Sequence, residues 1–143
     1  MKIFTIGFAK KNAEKFFGLL LDNKVKKVVD IRLNNKSQLA GFTKEDDLRF
    51  FLKNIGNIGY EYCTALVPTK EIFDGFRDKR ISWDQFTEEY KNVLQKRNAM
   101  EQLDLESHDH ACLLCSEDLP EYCHRRLAAE EIQKITGCEV VHL

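Results

Sequence analysis

Lys2-Ile3-Phe4-Thr5-Ile6-Gly7, the segment from Asn12 to Asn23, and Val25-Lys26-Lys27-Val28-Val29-Asp30-Ile31 together decide the fold. The first piece is a short apolar strand that ends at a glycine. In the second, Ala13, Phe16, Phe17, Leu20 and Leu21 recur at helical spacing. The third is a β-branched run and reads as a second, buried strand. Strand, helix, strand at this spacing is a βαβ unit. Parallel strands need such a crossover, and it is right-handed. The expected fold class is therefore α/β with a mainly parallel central sheet.

The rest of the chain continues the alternation. Arg32–Gly41 is polar and turn-rich. Thr43 is expected to open a helix, with Asp46 as its capping-box partner and Leu48, Phe51, Leu52 and Ile55 as its apolar stripe. Tyr60–Thr64 reads as a short strand, and Leu66–Arg80 is ambiguous, with room for one helix after Pro68. Ser82 and Gln85 form another capping box ahead of a core face of Trp83, Phe86, Tyr90, Val93 and Leu94. Ala111–Cys115 is a buried strand. Asp118 and Glu121 are expected to cap the last helix, with Pro120 in its first turn. That helix should turn Leu127, Ala128, Ile132 and Ile135 inward and stop at Gly137, before a final strand at Glu139–Leu143. This order predicts a three-layer sandwich, with residues 1–143 as a single domain.

Composition narrows the function classes. The 143 residues carry 22 basic and 23 acidic side chains, a formal net charge of −1, so no bulk electrostatic attraction to nucleic acid exists. A local basic face remains open. No apolar run approaches the ~20 residues of a membrane span, and no membrane partner is expected. Five cysteines, an odd number, follow an opening that lacks a signal-peptide pattern, which reads as a cytoplasmic protein with reduced thiols.

The residues that carry chemistry collect where strands end. Ligands of open α/β sheets bind outside the carboxyl ends of the strands. Three clusters fall there: Thr5-Ile6-Gly7-Phe8, Asp30-Ile31-Arg32, and Cys115-Ser116-Glu117 followed by Cys123-His124-Arg125-Arg126. Asp30 and Arg32 lie two apart and point to one side of their strand. They form either an ion pair closing the sheet edge or a guanidinium fork offered to an anion. Cys115 is either a buried thiol or a nucleophile. Cys123 is expected in the first turn of the last helix, where the helix terminus and the neighbouring Arg or protonated His favour a thiolate more than at Cys112. His124 suits a general base or a cap, and Glu117 a general acid or a partner of Arg125.

Other patterns carry less. Cys112-x-x-Cys115 has redox spacing but falls inside a strand, with its side chains on opposite faces. Cys115, Cys123 and His124 lack a fourth ligand of zinc-finger spacing, so no metal is expected. His108-x-His110 reads as a solvated loop. Gly7 stands without a Gly-x-Gly-x-x-Gly fingerprint, and no cofactor is expected.

At these residues the chain resembles the bacterial and archaeal proteins of domain of unknown function 488. The likeness runs through Thr5-Ile6-Gly7, Val29-Asp30-Ile31-Arg32, Ser37, Phe42, Tyr60 or Tyr62, Leu66-Val67-Pro68-Thr69-Lys70, Trp83, Phe86 and Tyr90. Its most specific part is Leu114-Cys115-Ser116-Glu117 with Pro120-Glu121-Tyr122-Cys123-His124-Arg125-Arg126. The resemblance implies only a loose link with nucleic-acid metabolism. A His-Ser pair commonly follows the first glycine in that family, and here Phe8-Ala9 stands instead. Val-Asp-Ile-Arg and a strand-end cysteine also resemble the rhodanese superfamily in architecture. The stretch from Cys115 to Arg125 is too long for that family's cysteine loop.

Three functions compete. The first is an enzyme on a phosphate-bearing substrate, a nucleotide or nucleic-acid component. Asp30, Arg32, Arg125 and Arg126 would bind it, and Glu117, Cys123, His124 and Cys115 would do the chemistry. The second is a noncatalytic module that clamps a small anion or a short nucleic acid. The third is sulfur transfer through a persulfide on Cys115 or Cys123.

Overall fold

The computed structural model describes residues 1–36 and 40–143. Five parallel strands form one sheet: β1 (Lys2–Gly7), β2 (Lys27–Asp30), β3 (Gly59–Tyr62), β4 (Ala111–Cys115) and β5 (Glu139–His142), in the order β3-β2-β4-β1-β5. The helices are α1 (Ala13–Asp22), α2 (Glu45–Gly56), α3 (Lys70–Arg77), α4 (Trp83–Lys96), the short α5 (Ala99–Gln102) and α6 (His124–Thr136). The fold is a three-layer α/β sandwich, and the sheet is wholly parallel.

Side chains alternate across each strand with period two, so each strand feeds both cores. Phe4, Ile6, Val28, Cys112 and Leu114 meet Phe16, Phe17 and Leu20 of α1 and Leu48 and Leu52 of α2. On the other face, Ile3, Val29 and Leu113 meet Phe86, Tyr90 and Leu94 of α4 and Leu127, Ala128 and Ile132 of α6. Cys112 and Cys115 do point to opposite faces: Cys112 packs in the α1–α2 core, while Cys115 lies against His124 at the start of α6.

Several local expectations change. Thr43 does not cap α2. It ends a 3-10 turn at Gly41–Thr43, and its hydroxyl donates to the Ala40 carbonyl at 2.8 Å. Lys44 then precedes α2 with no side-chain cap. The last helix begins later than expected: Cys123 is its N-cap, also without a side-chain bond, and Asp118, Pro120 and Glu121 belong to the loop after β4. Ile135 faces outward and is 59% exposed. His108 is buried, not solvated, and its Nδ1 lies 2.6 Å from the Asp104 carbonyl. The ambiguous segment resolves into α3, capped by the Thr69 side chain through the Ile72 N–H. Ser37 of the family pattern lies outside the described residues. Among the described residues no helix is long and apolar enough to cross a membrane.

The core sets an upper pH limit. Burial pushes the Cys112 thiol and the Tyr90 phenol well above their ordinary values. In the unfolded chain these groups ionise near ~8.5 and ~10. Above about pH 8.5 the native state therefore holds more protons than the unfolded state, and stability falls as pH rises. Urea midpoints measured from about pH 8 to pH 10 should decline steadily, and a flat profile would contradict this.

Candidate functional site

The strand order places β4 between β2 and β1. Cys115, the last residue of β4, thus sits between Gly7 and the segment after Asp30. The loop that follows bonds across to the chain leaving β1. The Phe8 N–H donates to the Cys115 carbonyl at 3.3 Å and the Ala9 N–H to the Ser116 carbonyl at 2.9 Å. Gly7 is obligatory here, because a Cβ on it would lie 1.5 Å from the Glu117 carbonyl oxygen.

Cys115 forms the floor of a cleft and is 5% exposed. Its Sγ lies 3.6 Å from His124 Nδ1. The opposite ring nitrogen, Nε2, is 2.7 Å from the Ile31 carbonyl. A carbonyl only accepts, so Nε2 carries the proton and Nδ1 turns its lone pair to the thiol. Tyr90 holds the imidazole edge-on, with centroids 5.6 Å apart, and anchors its own hydroxyl on the Leu66 carbonyl at 2.6 Å. A hydrogen bond from Cys123, then the Ser116 N–H, the Arg125 charge and the Glu117 N–H, hold the Cys115 thiol below its ordinary value against the cost of burial. The same bond and burial push the Cys123 thiol well up. Within this pair of buried thiols the charge is favoured on Cys115, whereas the sequence pattern pointed to Cys123. Both thiols are buried and both line the smaller part of the cleft, so neither exposure nor access separates them.

Arg125 lies beneath the loop after β4. It is wholly buried and donates to the Glu117 carbonyl, to the Asp118 carbonyl at 3.0 Å and to Thr5 Oγ1 at 3.4 Å. It holds the loop that follows Cys115 and is not among the residues lining the cleft. Arg126 points away, its guanidinium 5.9 Å from the Trp83 ring centroid and 3.7 Å from Glu130. Neither arginine lines the cleft.

Asp30 and Arg32 form the buried ion pair. Arg32 Nε and Nη2 each donate to an Asp30 oxygen at 2.9 Å, and Nη2 also reaches the Thr43 carbonyl at 2.7 Å. Tyr60 donates to Asp30 Oδ2 at 2.6 Å, and Tyr62 to the Arg32 carbonyl at 3.0 Å. Tyr60 and Tyr62 thus both brace the Asp30–Arg32 segment. Arg32 also lines the cleft, and its Nη1 has no partner among the described residues. Asp30 does not line it. Arg32→Met should cost about 3–5 kcal/mol by leaving Asp30 buried and unpaired. Adding Asp30→Asn should restore much of that in thermal melts. Equal instability of single and double variants would show that the pair is not the cause.

Glu117 is exposed at the cleft mouth and forms no side-chain hydrogen bond among the described residues. Sequence reasoning missed Lys70, Phe73 and Arg77, which line the opposite wall on one face of α3. Their i, i+3, i+7 spacing was the available signal, but it has meaning only once the segment is known to be a helix.

Among the described residues, Cys115, Cys123 and His124 also form a trio whose ligand atoms lie within 4.8 Å of one another. That trio offers three of the four ligands of a closed zinc site, and no further protein ligand joins it.

A family model described as Domain of unknown function DUF488 matches residues 12–132. The chain belongs to the DUF488 family. No curated protein and no solved structure matches it. The match spans α1 through most of α6 and so takes in Arg32, the α3 wall, Cys115, Glu117, Cys123 and His124. Phe8 lines the cleft with its ring centroid 5.6 Å from the Arg32 guanidinium carbon.

Proposed function

We propose that this protein is a thiol-dependent enzyme acting on a small phosphate-bearing substrate, with Cys115 as nucleophile. One observation carries the reading. A strand-end thiol on the floor of a cleft lies 3.6 Å from the acceptor nitrogen of a histidine whose other nitrogen is fixed by a backbone carbonyl. Nucleophile, base and orienting group are the recurring parts of covalent catalysis. His124 Nδ1 takes the Cys115 proton. The thiolate attacks the substrate, its sulfur bonds to the reacting centre as the leaving-group bond breaks, and Glu117 protonates the leaving group. Water or a second acceptor then releases the adduct.

The anionic character of the substrate rests on the cleft's other side. Arg32, whose buried Nη1 has no partner among the described residues, lines that side, and Lys70 and Arg77, both paired with Asp74, stand there too. Calorimetric titration with inorganic phosphate and small phosphomonoesters tests this part. Arg32→Lys keeps the charge beside Asp30 but removes the fork, and should weaken binding by about 1.5–3 kcal/mol. A wild-type protein blind to every phosphate compound would remove the anion assignment and leave the thiol chemistry standing.

Sulfur transfer is the second reading, favoured by the lowering of the Cys115 thiol to which the Ser116 and Glu117 N–H groups contribute. Exposure to thiosulfate, followed by intact mass measurement, separates the two. A Cys115 adduct of one sulfur atom, discharged by cyanide, would move the assignment to sulfur transfer.

A further inference from the structure

The cleft has two compartments that meet over Cys115, Glu117 and His124. The larger, about 800 Å³, holds Phe8, Arg32, Asn34 and Lys70. The smaller, about 280 Å³, is walled by Phe73, Phe76, Trp83, Phe86 and Tyr122. Phe73 and Arg77 border both. The volumes lie at about the lower end and in the upper half of the range of small-molecule sites.

The smaller compartment is more than core. Phe86 is buried and Phe76 and Trp83 pack partly against the interior, but Tyr122 is 64% exposed on the loop after β4. Its ring stands edge-on to Trp83 at 5.7 Å. Trp83 in turn stacks on Phe86 with an interplanar angle of 11°. The result is an aromatic slot kept open beside a reactive thiol. Such walls favour a flat ring, through apolar burial and through the edge-and-face preferences of aromatic pairs. The cations that line the cleft are placed asymmetrically. Arg32 and Lys70 belong to the larger compartment alone, and Arg77 stands at the junction.

We propose that the substrate carries a planar aromatic ring for the Trp83 compartment and an anionic group for the Arg32 compartment, with the reacting bond between them over Cys115. A nucleoside monophosphate has this chemistry. A bare phosphoester leaves the slot empty, and a long polynucleotide gains little from a chain of net charge −1. The inference rests on the reading of the cleft as a substrate site.

Trp83 is the chain's single tryptophan and stands in the wall, so its emission reports the slot directly. The experiment titrates full-length protein with nucleoside 5′-monophosphates, ribose 5-phosphate, inorganic phosphate and a short single-stranded oligonucleotide. Fluorescence and calorimetry are followed together. The monophosphates should quench Trp83 saturably, while ribose 5-phosphate binds more weakly without quenching. Tyr122→Ala and Trp83→Leu should weaken the monophosphates by about tenfold or more, the scale of one lost base–aromatic stack, and leave ribose 5-phosphate unchanged. Equal affinity for ribose 5-phosphate and the nucleotides, without quenching, would overturn the aromatic half and keep the anion site. Tighter binding of the oligonucleotide would replace the mononucleotide by a nucleic-acid strand. Binding of none of the four would overturn both this inference and the anion-site reading.

Discussion

Cys115 is expected to be alkylated faster than the other four cysteines of the native protein, and to lose that lead when Cys123 is replaced. All five cysteines are free and buried, so exposure alone does not rank them. Ionisation does. Burial pushes Cys63 and Cys112 up, and the bond to Cys115 with burial pushes Cys123 up. Only Cys115 is held below the ordinary thiol range, chiefly by the hydrogen bond from Cys123. The thiolate is the reactive form, so labelling should rise with pH and level off at a lower pH than for a free thiol. The same lowering adds stability above the unfolded thiol's pKa, which is lost as pH falls through the folded value. Cys123→Ala removes the main donor. A hydrogen bond to an ionised group is worth about 1.5–3 kcal/mol, so labelling near neutral pH should slow by about tenfold or more. Arg125→Met should slow it in the same direction by removing the buried charge. Iodoacetamide labelling read by peptide mass spectrometry provides the ranking, repeated with a chelator present. Equal rates at all cysteines would refute the assignment. Labelling of Cys115 only after chelation would instead show that the Cys115–Cys123–His124 trio holds a metal.

The second large effect belongs to Gly7. A methyl group there would lie 1.5 Å from the Glu117 oxygen, 2.5 Å from its carbon and 2.9 Å from Arg125 Nη1. None of these can yield cheaply, because the carbonyl is held by a buried guanidinium whose other bonds go to Asp118 and Thr5. Gly7→Ala should therefore displace the whole loop after β4. Overpacking costs about 1–3 kcal/mol, and buried carbonyls parted from their donor cost roughly 1–3 kcal/mol each. A loss of about 3 kcal/mol or more is expected in urea denaturation, with slower Cys115 labelling in whatever protein remains folded. Wild-type stability and labelling in Gly7→Ala would mean that the contact between β1 and the loop does not shape the site.

Much of this was visible before any coordinates. The βαβ opening, the strand Ala111–Cys115 and the cluster from Cys115 to His124 were each legible, because periodicity and strand-end placement are local properties. Thr5-Ile6-Gly7 stood out only as a strand ending in glycine. The close approach of the Glu117 carbonyl, which forbids any side chain there, links residues more than a hundred positions apart. The α3 wall was illegible for a different reason. Lys70, Phe73 and Arg77 share a face only if the segment is helical, and that segment's pattern did not settle the matter.

By itself, the sequence determined the fold class, the family, and the edge of the sheet where chemistry collects. Tertiary structure alone decided the strand order β3-β2-β4-β1-β5, and with it the division of labour between similar residues. Cys115 and Cys123 look alike in sequence, as do Arg32 and Arg125. They are separated by their surroundings, which include partners 93 and 120 positions apart in sequence, Ile31 for His124 and Thr5 for Arg125. Ionisation and ligand access depend on solvation and on nearby charges and donors. Those are fixed by what the folded chain brings together, and no local pattern contains them.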